Sequence, residues 1–248
     1  MYLKTKGLVL RETDYNDADK LLTVLTADFG KMTLRARGVK RSKSTMKSAC
    51  QLLAYSEFTL FEYRGKTTVQ EAQSLALFPG LRGDLELLAL GSYFAQVMEA
   101  AAQEDSPDPE LLALLLNALY ALSELGKPQP VVKAAFELRL ACLAGYTPDL
   151  TGCAQCGAVY PDRFDLSMGR LECAGCREER SQGIRMPLSR GVLEAMRYIV
   201  ACPAKRLFSF SLPAEALEAL NGVTEGYLST QLERGFYTLD FYKQLKLT

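Results

Sequence analysis

Four cysteines carry the clearest chemistry in this chain. Cys153-Ala-Gln-Cys156 and Cys173-Ala-Gly-Cys176 are two C-x2-C pairs with 16 residues between them, a spacing that fits a zinc site. Two residues between sulfurs let a tight knuckle offer both thiolates to one ion. Gly157 after the first pair and Gly175 inside the second tolerate the positive φ that such knuckles use. Four thiolates close the coordination sphere, so the expected ion is one structural Zn2+ and not a catalytic one, which would need an open position. The competing reading is a set of reactive or redox thiols. The other three cysteines, Cys50, Cys142 and Cys202, sit in apolar stretches and read as small buried hydrophobes.

The second chemical feature is charge. Lys31, Arg35, Arg37, Lys40, Arg41, Lys43 and Lys47 fall in one stretch without an acid. Ala36-Arg37-Gly38-Val39-Lys40-Arg41-Ser42-Lys43-Ser44 suits phosphate contact: cations supply charge, and serine hydroxyls and backbone amides supply donors. Residues 1–80 hold 13 Lys/Arg against 8 Asp/Glu, a net of +5, and residues 81–248 hold 16 against 21, a net of −5. The whole-chain net charge of zero therefore hides a local field, and local potential governs polyanion binding because screening limits its reach. Nearby Tyr55, Phe58, Phe61 and Tyr63 either stack on bases or fill a barrel core.

Much chemistry is excluded. With no histidine among 248 residues, there is no Ser-His or Cys-His pair, no imidazole proton shuttle and no His-ligated metal. No acidic cluster, phosphate-binding loop or dinucleotide fingerprint is visible, so no catalytic residue is assigned. A hydrophobic share of 48% and a charged share of 23% are those of a globular protein. Residues 1–6 lack the apolar core and cleavage site of an export signal, and no apolar run reaches the roughly 18 residues of a membrane span. Seven cysteines, an odd number, fit a reducing compartment. The expected location is the cytoplasm.

The elements that must position these groups fall into an α+β multidomain chain. Short runs at 7–10, 21–26, 32–36, 58–63 and 67–69, with turn signals at 28–31 and 64–66, give five strands and a small closed barrel over residues 1–80. Met32, Leu34 and Ala36 alternate with Thr33, Arg35 and Arg37, which gives that strand a basic outer face. Residues 81–148 read as three helices: one after Asp84, one opened by Asp108-Pro109-Glu110, and one opened by Pro130. The Cys-bearing insert at 149–186 reads as a zinc ribbon around a hairpin. Residues 187–248 return to helix, first behind the Ser189 cap and then from Pro213 to Leu245, with Gly222, Gly226 and Gly235 as candidate breaks.

The run Gly7-Leu8-Val9-Leu10, Tyr15 to Leu22, Thr26, Gly30 and Ala36-Arg37-Gly38 through Lys43-Ser44 resembles the N-terminal domain of the bacterial recombination mediator family RecO. Phe136-Glu137-Leu138-Arg139-Leu140, Gly145-Tyr146, the Cys pairs, and Tyr227-Leu228 through Leu232-Glu233-Arg234 resemble that family's later segments, in its zinc-bearing branch. The resemblance implies an N-terminal OB-fold β-barrel and a C-terminal all-α domain with an inserted four-Cys zinc ribbon. It implies binding to single- and double-stranded DNA, annealing of complementary strands, and partnership with RecR and single-stranded DNA-binding protein to help RecA load.

On that basis Arg35, Arg37, Lys40, Arg41, Lys43 and Lys47 are expected in phosphate contact. Lys133, Phe136, Arg139 and Leu140 are expected, with Leu143, to receive the acidic C-terminal tail of the single-stranded DNA-binding protein, unless those apolar side chains are simply core. Two other classes remain: an RNA-binding OB/zinc-ribbon protein, which substrate preference separates from the first, and an enzyme using a cysteine or carboxylate, which no spacing supports.

Overall fold

The computed structural model describes residues 1–176 and 183–246, so part of the expected ribbon (177–182) and the last two residues lie outside it. The chain divides into two compact units, Met1–Gly126 with Phe236–Thr248, and Lys127–Gly235.

In the first unit, β1 (Tyr2–Asp14), β2 (Lys20–Thr26), β3 (Gly30–Ala36), β4 (Tyr55–Tyr63) and β5 (Lys66–Ala76) close a barrel in the order β1-β2-β3-β5-β4. β3 and β5 pair in parallel and all other neighbours antiparallel, the arrangement of an OB-like barrel. β1 is longer than its apolar run suggests. Its first half pairs with β4 and its second with β2, with a register shift between Val9 and Arg11. A bulge of this kind bends a strand enough to serve two sides of a small barrel. The β4–β5 hairpin turns on Arg64 and Gly65, both at positive φ, the backbone of a tight two-residue loop.

Val9, Leu22, Val24, Leu34, Ala36, Phe58, Leu60 and Val69 fill the barrel, and Val39 and Cys50 join them from the β3–β4 connector. The connector is therefore anchored from inside as well as by backbone bonds, Leu53 N–H to Val9 carbonyl (2.9 Å) and Val9 N–H to Ala54 carbonyl (3.0 Å). The unit continues through α1 (Pro79–Arg82), α2 (Leu85–Ala101) and α3 (Pro109–Ser123). Asp84 caps α2 through the Leu87 amide, and Asp108 caps α3 through those of Glu110 and Leu111, as their sequence positions require.

The second unit holds α4 (Gln129–Leu143), a four-stranded sheet of β6 (Asp149–Cys153), β7 (Arg163–Asp165), β8 (Arg170–Glu172) and β9 (Arg185–Pro187) in the order β6-β8-β7-β9, then α5 (Arg190–Ala201) and α6 (Ala214–Gln231). α6 stops at Gln231 and α7 (Tyr237–Leu245) belongs to the first unit, where Thr238 bonds Gln96. Of the three candidate breaks, only Gly235 lies between helices. Gly222 and Gly226 sit within α6, where an added Cβ would come 3.3 Å from Met186 and 3.0 Å from Leu166. Their role is close packing against the sheet, at a small cost in helix propensity. No helix among the described residues is long and apolar enough to cross a membrane.

A basic connector on the barrel and a four-cysteine centre

The connector leaves β3 through Arg37 and Gly38. Gly38 has φ +66°, a left-handed conformation that a side chain would strain. Its amide donates to Asp19 Oδ1 at 2.8 Å. The other oxygen of Asp19 accepts from Arg35 Nε at 3.0 Å and Nη2 at 2.7 Å, and from Asn16 Nδ2 at 3.2 Å. One carboxylate in the β1–β2 loop thus fixes both the end of β3 and the start of the connector. The Gly38 amide and then the Arg35 guanidinium hold the Asp19 carboxyl down at about 2. Lys40 N–H to the Ala18 carbonyl (3.0 Å) adds a backbone tie between the same two segments.

This geometry corrects the picture of seven uncompensated cations. Arg35 is paired with Asp19 and Lys40 with Asp14 at 2.7 Å, and Lys31 Nζ donates to the Glu99 carbonyl at 2.8 Å. Asp14 and Asp19 are distant in sequence from the cations they meet, and the β1–β2 and β2–β3 pairings together bring them there. Arg37, Arg41, Lys43 and Lys47 are exposed, and the chain between them turns through Arg41 N–H to Gly38 carbonyl and Ser44 N–H to Arg41 carbonyl bonds. The barrel aromatics divide. Phe58 is core, Tyr55 and Phe61 are half-buried, and Tyr63 is exposed with Arg64 over its ring at 5.1 Å. Tyr15, which sequence reading passed over, is exposed beside Arg35.

Asp19→Asn tests the anchor. A depressed carboxyl stabilises the fold at every pH above its unfolded value, 3.8, and that contribution is lost as pH falls towards the folded value. In the wild type the Gly38 amide chemical shift should titrate with a midpoint near 2, well below 3.8. In Asp19→Asn that titration should vanish, and connector amides should exchange faster at neutral pH. A Gly38 midpoint at the ordinary carboxyl value would contradict the anchor.

The four cysteines come from two knuckles. The first follows β6: Gly157 N–H bonds the Cys153 carbonyl at 2.9 Å, and Gly157 has φ +73°, as the motif requires. The second is a 3-10 turn at Ala174–Cys176, closed by Cys176 N–H to the Cys173 carbonyl at 3.0 Å. Gly175 is not among the glycines at positive φ, so the freedom expected of it is unused. All four Sγ atoms lie within 4.8 Å of one another, and Cys156 and Cys173 are 3.8 Å apart. A tetrahedral centre with metal–sulfur bonds of about 2.3 Å has sulfur–sulfur edges of about 3.8 Å, so the donor set fits one metal ion.

Backbone amides of Cys156, Gln155 and Cys173 point at the Cys153 sulfur and pull its thiol down to about 6. Burial and the neighbouring sulfurs push Cys173 up to about 12. Hydrogen bonding to Cys156 and then burial push Cys176 up to about 11. The amides favour thiolate at Cys153, and the crowding that holds protons on Cys173 and Cys176 is what a cation shared by the four sulfurs would relieve.

The sheet that carries the knuckles has its own polar interior. Arg185 Nε meets Glu172 Oε2 at 2.7 Å and its Nη2 meets Asp165 at 3.3 Å, all three side chains almost fully buried. Cys50 and Cys202 are buried and Cys142 is half-buried.

The expected tail-binding surface is overturned. Phe136 and Leu140 are fully buried in α4, and Lys133 is 4% exposed. Lys133 lies between Glu137 (2.8 Å) and Glu225 (3.0 Å), and these carboxylates outweigh burial to hold its ammonium above the ordinary value. Arg139 donates to the Ile199 and Cys202 carbonyls at 2.6 Å, satisfying the C-terminus of α5. α4 is buried on nearly every side, Lys133 and Glu137 included, so these residues offer little open surface.

The family model described as "Recombination protein O N terminal" matches residues 1–78, and "Recombination protein O C terminal" matches residues 82–240. The chain is 33% identical over 246 residues to the DNA repair protein RecO of Acetivibrio thermocellus, covering 98% of this chain and 97% of that one. It is 33% identical over 247 residues to the RecO of Desulforudis audaxviator, covering 99% and 98%. With the RecO of Rubrobacter xylanophilus it shares 34% identity over 205 residues, 81% of each chain.

Proposed function

Because the chain belongs to the RecO family of DNA repair and recombination proteins, we propose that it is a non-enzymatic mediator in the cytoplasm that binds single- and double-stranded DNA and anneals complementary strands. With RecR it helps load RecA onto DNA coated by single-stranded DNA-binding protein. The observation that carries this reading is the anchored connector, which displays Arg37, Arg41, Lys43 and Lys47 on a closed OB-like barrel. Annealing breaks no covalent bond. Cations that neutralise phosphates lower the repulsion between two strands, and base pairing supplies the rest. The ion in the four-cysteine centre is Zn2+, a soft-ligand choice for four thiolates, and its part is structural.

The test is annealing of complementary oligonucleotides, bare and precoated with single-stranded DNA-binding protein. The protein should accelerate annealing in both cases, without nucleotide and without cutting either strand. Acceleration of neither would overturn the mediator reading, and a strong preference for RNA over DNA would replace it.

A further inference from the structure

We infer that Tyr15 is a stacking platform for an unpaired base and gives the barrel a preference for single-stranded over double-stranded DNA that the basic connector alone does not provide. The inference rests on the DNA-binding reading above and names a group that reading does not use.

Tyr15 stands in the β1–β2 loop, 53% exposed. One face of its ring is backed by the Arg35 guanidinium, whose central carbon lies 4.9 Å from the ring centroid. Arg35 cannot swing freely, because Asp19 holds it through both Nε and Nη2. The loop is closed by the Tyr15 N–H to Asp19 carbonyl bond at 3.1 Å. The ring is therefore placed before any ligand arrives, which spares the ordering cost of binding.

The stack is also close to neutral. Asp19 compensates Arg35, and Asp14 is taken by Lys40. Asp17 adds an exposed negative charge, so this loop attracts no phosphate through net charge. What it offers is an aromatic face, and an aromatic face stacks on a base only where that base is not enclosed in a duplex. The Asp19 that fixes Arg35 also receives the Gly38 amide, so the platform and the first residues of the basic connector share one anchor. A strand that follows the connector's cations would begin beside the carboxylate that holds the ring's backing guanidinium.

The chain has no tryptophan, so Tyr15→Trp introduces a single indole at the proposed contact, which can be excited selectively beyond the tyrosine band. Oligothymidylate should quench its emission strongly and a blunt duplex of equal length weakly. Tyr15→Ala should weaken single-strand binding by about tenfold, the loss of one stacked base, while leaving duplex affinity and the salt slope of both near wild type. Tyr15→Phe should retain single-strand affinity and shows that a correctly folded loop tolerates substitution. Wild-type single-strand affinity in Tyr15→Ala, or an equal loss for single strands and duplex, overturns the platform while leaving the DNA-binding reading intact. Failure of the wild-type protein to bind either DNA removes both.

Discussion

Replacing Cys153 and Cys173 together by serine should abolish stoichiometric zinc and unfold the knuckle end of the ribbon. The expected loss is large because the sheet that carries the knuckles is small. Its strands are three to five residues long, too short to support themselves. A structural zinc site is worth about 10–16 kcal/mol of apparent binding energy in isolated zinc-finger peptides, far more than such strands supply. The loss should be graded along the ribbon. Phe164 packs edge-on against Tyr227 of α6 at 5.2 Å, and Gln231 bonds the Leu166 carbonyl. That docked end should keep its amide-exchange protection while residues 151–158 and 172–176 lose theirs. The Arg185–Glu172–Asp165 cluster lies between the two ends, and burial makes a broken pair there costly, so the thermal transition should fall and broaden. Zinc measured by emission spectroscopy at one ion per chain in the double variant would show that the four cysteines are not the site.

How far these features could be read from residues alone depends on the distance over which each is decided. The caps at Asp84, Asp108 and Ser189 involve amides two or three residues away, and the metal knuckles are equally local, so type and spacing determine them. The barrel was legible because turn signals separate its strands. The full length of β1 was not, because its two polar ends are held by pairing with β4 and β2 and not by their own apolar content. The error over α4 has the opposite source. Lys133 and Arg139 read as charges turned to solvent, but Glu225 and the α5 carbonyls meet them inside the fold. No local pattern signals a buried charge whose partner lies in another helix. Tyr15 escaped notice for the same reason: its meaning comes from Arg35 and Asp19, which only the folded loop places beside it.

The charge count on the connector sets the second large expectation. Arg37→Ala, Arg41→Ala, Lys43→Ala and Lys47→Ala combined should lower the salt slope of DNA binding by about 3 on single strands and about 3.5 on duplex, since each phosphate contact contributes about 0.7 and 0.9 respectively. If counterion release is the whole of their contribution and fades by about 1 M salt, the same four changes cost roughly 10²- to 10³-fold in affinity at 0.15 M. The paired cations should behave differently. Lys40 already has Asp14, whose carboxyl it holds below the ordinary value, so Lys40→Ala displaces fewer counterions and should shift the slope less than Arg41→Ala. By the same logic Asp14→Asn should raise the slope, because it returns a cation to the surface. Fluorescence anisotropy across a salt series distinguishes these cases. Equal effects from Lys40→Ala and Arg41→Ala would mean that the ion pairs open on binding, and the connector would then act with its full complement of charge. An unchanged slope in the quadruple variant would place the DNA on another surface altogether.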